Sequence, residues 1–80
     1  MSKATRTRPE IPMPDNVRAA LRAEGLQARY EARPWYQRND YLGWIGRAKR
    51  EETRQKRIRQ MLDELAAGDV YMKMAWSAQA

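Results

Sequence analysis

The residue types that most often carry enzyme chemistry are missing or badly placed in this chain. It has no histidine and no cysteine. The usual proton shuttle and the commonest zinc ligands are therefore absent. Two carboxylate pairs stand out, Glu51 with Glu52 and Asp63 with Glu64. Neighbours on a helix point about 100° apart, so neither pair forms the facing dyad of acid–base catalysis. Ser2 and Ser77 lie near the two ends, and Gly43 and Gly46 fall inside a helical pattern rather than in a phosphate-cradling loop. The expectation is a protein that is not an enzyme and carries no cofactor and no metal.

Binding chemistry is better represented. Residues 47–59 hold seven basic and two acidic groups, whereas residues 60–80 hold one basic and three acidic. Such a basic block suits an acidic partner protein or peptide, a nucleic acid or an anionic membrane surface. It is also what an ordinary solvated helix face looks like. Two aromatic residues, Trp35 and Tyr36, stand at a helix start off the main apolar stripe, and Trp, Tyr and Arg are the types enriched at interface hot spots. The candidate partner-binding set is Trp35, Tyr36, Lys49, Arg50, Lys56 and Arg59. The preferred partner is another protein or peptide with an acidic surface. The alternative is nucleic acid, with Thr53, Gln55, Lys56 and Arg59 near the start of a reading helix in a helix-turn-helix-like pair. Against it, the joint lacks the glycine such turns often use, and Glu51 and Glu52 would face phosphate.

Punctuation and periodicity give the elements that must hold these residues. Pro14 and Asp15 open a helix whose stripe is Val17, Ala20, Leu21 and Glu24, and Gly25 stops it. Leu26 and Tyr30 share one face of a short second helix that Pro34 ends. From Trp35 to Ala48, Tyr41, Trp44, Ile45 and Ala48 repeat at helical spacing, with Leu42 widening the stripe. Gly43 and Gly46 within it either admit a close neighbour or weaken a solvent face, each at ~1 kcal/mol relative to alanine. Lys49 and Arg50 make a joint. Glu51, Glu52 and Thr53 then open a helix striped by Ile58, Met61, Leu62 and Leu65 and ended by Gly68.

Tyr41, Trp44, Ile45 and Ile58 therefore read as structural. So does Arg54, one turn before Ile58 and hence on the buried stripe, where a guanidinium must be paired or stacked. The spacing places it against Asp40 or on Trp44.

The expected fold is all-α: a small bundle of three main helices and one short helix over residues 14–68, short connections between them, a flexible basic arm at 1–13 and an irregular tail at 69–80. Tyr71 or Trp76 is expected to pack back on the bundle. A core of about 65 residues buries only ~60% of its unfolded surface, so packing must be efficient. No apolar run approaches the ~18–20 residues of a membrane span, and the N-terminus has no signal-like apolar region. With no cysteine as well, a cytoplasmic protein is expected. Nothing in the pattern sets an oligomeric state.

The run from Tyr41 through Leu42, Trp44, Ile45, Ala48 and Lys49 to Glu52, Thr53, Arg54, Arg57, Ile58 and Gly68 resembles the C-terminal helical module of the bacteriocin-protection, YdeI or OmpD-associated family. Pro14, Val17, Leu21 and Tyr30 are similar to its upstream part. The likeness covers about residues 14–68. Three departures are visible: Arg33 stands where an apolar residue is common, Trp35 and Tyr36 replace a small polar helix opener, and Gly43 and Gly46 replace good helix formers. The resemblance implies a role in resistance to bacteriocins or cationic peptides, or in envelope stress. Many relatives carry another domain ahead of this module, and the resemblance transfers none of that domain's function.

Overall fold

The computed structural model describes residues 11–76. Four helices follow one another: α1 (Asp15–Ala23), α2 (Gln27–Ala32), α3 (Trp35–Gly46) and α4 (Glu51–Ala67). The fold is the expected helical bundle of three main helices and one short one. The boundaries fall at their expected punctuation except at the end of α3, which stops at Gly46 rather than Ala48. Gly25 and Gly68 take the left-handed φ values of 66° and 87° that end α1 and α4, and Arg33 is extended ahead of Pro34.

One core joins the helices. Val17 and Leu21 of α1, Leu26 and Tyr30, Tyr41, Leu42 and Ile45 of α3, and Ile58, Met61, Leu62 and Leu65 of α4 form a single buried cluster, with Trp44 half-buried against it. Burying one such aliphatic side chain contributes roughly 1.5–3 kcal/mol. The shared face of α3 and α4 therefore outweighs any surface ion pair, which is typically worth ~0.2–1 kcal/mol.

Order begins earlier than Pro14. Ile11 and Met13 pack against the core, and the Ile11 N–H donates to Asn39 Oδ1 at 2.8 Å. The expectation of a flexible arm fails for these residues because two apolar side chains find a place on α3. The rest of the expected arm lies outside the described residues. The same contact explains one glycine. A Cβ on Gly43 would stand 3.1 Å from Ile11 Cδ1, a tight contact that the bare glycine relieves. Gly46 faces open space.

The larger difference is at the C-terminal end. The expected irregular tail is instead an antiparallel hairpin of two two-residue strands, β1 (Val70–Tyr71) and β2 (Met74–Ala75), with Tyr71 opposite Met74. Residues 77–80 lie outside the described residues. The first strand finds its partner in its own continuation, with Val70 opposite Ala75. Its turn residues, Met72 and Lys73, have φ of 51° and 64°. Both central positions of this turn are thus left-handed, as in type I′ hairpins, where Asn-Gly is the favoured pair. For residues with a Cβ this conformation costs about 1–2 kcal/mol each.

Glu64 offsets that cost. It is buried in α4, and its carboxylate accepts the N–H of Met72 at 2.8 Å and of Lys73 at 2.9 Å. Tyr41 Oη donates to it at 2.5 Å and Gln60 Nε2 at 3.0 Å. Successive turn N–H groups form an anion-binding concavity, here filled by a side chain of the same molecule. The hairpin then seats Tyr71 edge-on to Tyr41, with centroids 5.5 Å apart, and Tyr71 Oη donates to Asp40 at 2.7 Å.

Two measurements check this arrangement. In urea titrations, Gly46→Ala should stabilise by up to ~1 kcal/mol, since the added methyl meets nothing. Gly68→Ala should destabilise by ~1–2 kcal/mol because of its left-handed backbone. The tyrosines predict an alkaline limb. Burial, aided by the hydrogen bond to Glu64, pushes the Tyr41 hydroxyl well above its ordinary pKa. Burial, aided by Asp40, does the same to Tyr71. The unfolded chain therefore loses these protons first, from about pH 10, and stability present below that pH falls as pH rises toward the folded-state values. Melting temperatures between pH 8 and 11.5 should show this fall. Tyr41→Phe should start lower but decline less steeply; an unchanged slope would show that Tyr41 does not contribute.

Candidate interaction site

The residues marked for partner binding separate into two groups. Trp35 and Tyr36 open α3, while Lys49 and Arg50 follow its end. A rise of 1.5 Å per residue puts roughly 16 Å of helix between the groups. They do not form one site.

At the aromatic end, Tyr36 is 45% exposed and lies edge-on to Tyr71, with centroids 6.1 Å apart. Its hydroxyl accepts from Gln37 Nε2 at 3.2 Å. Trp35 is half-buried, not exposed. It lines a cleft of about 360 Å³ with Ile11, Met13, Tyr30, Arg38 and Leu42.

At the joint, Arg47, Lys49, Arg50 and Lys56 are exposed and make no ion pair among the described residues. Several nearby basic residues are committed elsewhere. Arg59 Nη1 and Nη2 donate to the two carboxylate oxygens of Glu24 at 2.6 and 2.8 Å, and Arg59 Nε donates to Asp63 at 3.0 Å. Arg59 thus ties α4 to the end of α1 and is not a free cation. Its hydrogen bonds hold the Glu24 carboxyl below the usual carboxylate range. Hydrogen bonds from Gln55 and Arg54 do the same for Glu51.

Arg54 is not where its spacing placed it. It is half-buried and meets neither Asp40 nor Trp44. Its guanidinium pairs with Glu51 and donates through Nη2 to the Ala48 carbonyl at 3.0 Å. The first turn of α4 lies beside the joint, so the apolar stripe there meets backbone carbonyls rather than core. Arg57 takes the expected role three residues on: its Nη1 donates to the Trp44 carbonyl at 2.7 Å, and its Cζ lies 5.3 Å from the Trp44 ring centroid. Both arginines tie α4 to the end of α3 and the joint.

Four polar residues are buried that the sequence did not mark as such, Arg33, Gln37, Asn39 and Glu64, and two of them are charged. Glu64 looked like half of a surface acid pair. Arg33 is only 4% exposed and donates to Gln37 Oε1 at 3.0 Å and to the Glu64 carbonyl at 3.1 Å, with Trp76 across its face. A signal was present for each of the two charged residues. Glu64 lies three residues from Met61 and hence on the core side of α4, and Arg33 stands at a position where the resemblance expects an apolar residue.

Among the described residues, no helix is long and apolar enough to cross a membrane. No curated protein and no solved structure matches the chain. A family model does match, over residues 10–68. It begins just ahead of Ile11, where the described order starts, and ends on the glycine that closes α4. With the bundle, its core and the α3–α4 joint all inside that span, the chain belongs to the bacteriocin-protection, YdeI or OmpD-associated family.

Proposed function

We propose that this protein is a non-enzymatic, cytoplasmic interaction module that binds an acidic protein or peptide surface through the α3–α4 joint. Its biological setting would be the one that the family name suggests, resistance to bacteriocins or cationic peptides, or envelope stress. The observation that carries the proposal is the group of four exposed cations, Arg47, Lys49, Arg50 and Lys56, with no ion pair among the described residues. Arg18, Arg54 and Arg59 all have acidic partners within the fold. Leaving the joint unpaired keeps a local positive field for an incoming anionic surface, which raises association rates more than final affinity.

A helix-turn-helix reading of nucleic acid fits less well. Of the four side chains assigned to the reading helix, Gln55 donates to Glu51 at 2.6 Å, Arg59 is held by Glu24 and Asp63, and Thr53 is half-buried. Lys56 alone of the four is both exposed and without such a partner. Glu51 and Glu52 remain exposed at the helix start, where phosphate would approach.

The test is affinity capture from an extract of the native host, with nuclease treatment and stepwise salt elution. Wild type is compared with Lys49→Glu/Lys56→Glu, whose melting temperature should stay close to wild type. The expected result is a specific protein retained by wild type, insensitive to nuclease and lost with the double variant. Bound nucleic acid, released by nuclease and eluting steeply between low and moderate salt, would replace this proposal with the other one.

A further inference from the structure

A second site follows from two arginines at the opposite end of α4. A cavity of about 220 Å³ lies between α2, the end of α4 and the hairpin, lined by Arg29, Ala32, Arg33, Leu65, Gly68 and Trp76. Its walls are an indole, a leucine and an alanine. Its charged groups are two guanidiniums, with no acid among the lining residues. We propose that this cavity binds a small organic carboxylate bearing an apolar group, of the size of a peptide's C-terminal residue.

Hydrogen-bond supply supports an anion. Each guanidinium offers five N–H donors. Arg29 Nη1 donates to the carbonyls of Leu65 at 3.2 Å and Ala66 at 2.8 Å. Arg33 donates to Gln37 Oε1 and the Glu64 carbonyl, at 3.0 and 3.1 Å. These bonds account for the arginines as caps on the last carbonyls of α4. They leave more than half of the donors on each without a protein partner among the described residues; those of Arg29 are exposed at the mouth of the cavity, whereas Arg33 is buried.

Arg33 is the more telling of the two. It is 96% removed from solvent at 4% exposure, yet it forms no ion pair with any carboxylate among the described residues. A desolvated cation ordinarily has an anionic partner, and a cavity beside it supplies the place for one. The Trp76 ring, 4.5 Å from Arg33 Cζ, fixes the guanidinium plane and walls the cavity. Planar guanidiniums bind carboxylate and phosphate alike, but the apolar walls favour an organic acid over inorganic phosphate. The volume falls below the ~300–1,000 Å³ of pockets for drug-sized ligands, which suits a small acid or the end of a chain.

The experiment is a ¹H–¹⁵N titration of the full chain with N-acetyl-leucine, its primary amide, inorganic phosphate at matched ionic strength, and a hexapeptide ending in leucine with a free carboxylate. The acid should shift the Trp76 indole N–H and the Gly68 amide saturably. The amide should bind at least about tenfold more weakly. Arg29→Gln should weaken acid binding by about tenfold while leaving the remaining spectrum in place; Arg33 is too deeply buried to serve as the test variant. Hexapeptide binding as tight as the acid would assign the site to peptide termini. Binding of the acid alone would assign it to free small acids. Equal shifts from acid and amide, equal shifts from phosphate, or full binding by Arg29→Gln would each overturn the proposal.

Discussion

A buried carboxylate that must be fully hydrogen-bonded organises one end of this molecule. Glu64 lies inside the bundle, where an unpaired anion would cost several kcal/mol in a protein of ordinary stability (~5–15 kcal/mol). Its donors come from three places at once: Tyr41 on α3, Gln60 on its own helix, and the Met72 and Lys73 amides of the hairpin. Satisfying Glu64 therefore fixes the hairpin against α3 and α4. Its backbone carbonyl takes Arg33 from the end of α2 and the closing N–H of Gly68. One residue ties the last turn of α4 to everything around it.

The other end of α3 follows a different rule. There the chain places cations around a short joint and uses only some of them. Arg54 and Arg57 bond carbonyls of α3 and the joint, and Arg59 bridges to α1, while Arg47, Lys49, Arg50 and Lys56 remain outside these bonds. The family motif thus contains both kinds of residue. Trp44, Ile45, Arg57 and Ile58 hold the helix pair together, whereas Lys49 projects from it. Any recognition function of the basic joint rests on that packed pair. The cavity at the far end rests instead on the hairpin that Glu64 holds in place.

The helices were legible because their signals are local. Pro14, Gly25, Pro34 and Gly68 mark boundaries through backbone geometry alone, and the stripe from Ile58 to Leu65 fixes the phase of α4. What was hidden depends on contacts between distant segments. A Met72–Lys73 turn carries no turn signature; it becomes favourable only when a carboxylate eight or nine residues back binds both of its amides. Arg54 and Arg57 differ by less than one helical turn, and only the position of the α3 end decides which of them reaches Trp44. Gly43 could not be told from Gly46 until Ile11 was seen beside it. The candidate site was legible as a charge pattern, but not which charges were already engaged: Arg59 and Lys56 look alike in sequence and differ because Glu24 lies next to Arg59.

The central claim is that the Glu64 carboxylate holds the hairpin in its unfavourable turn. Native-state hydrogen exchange of Glu64→Gln tests it most directly, because the amide side chain keeps the volume but replaces one acceptor oxygen with a donor. The predicted result is faster exchange of the Met72 and Lys73 amides by an order of magnitude or more, with the core amides of α4 slowed or accelerated far less. Unchanged protection of those two amides, or uniform loss across α4, would contradict it.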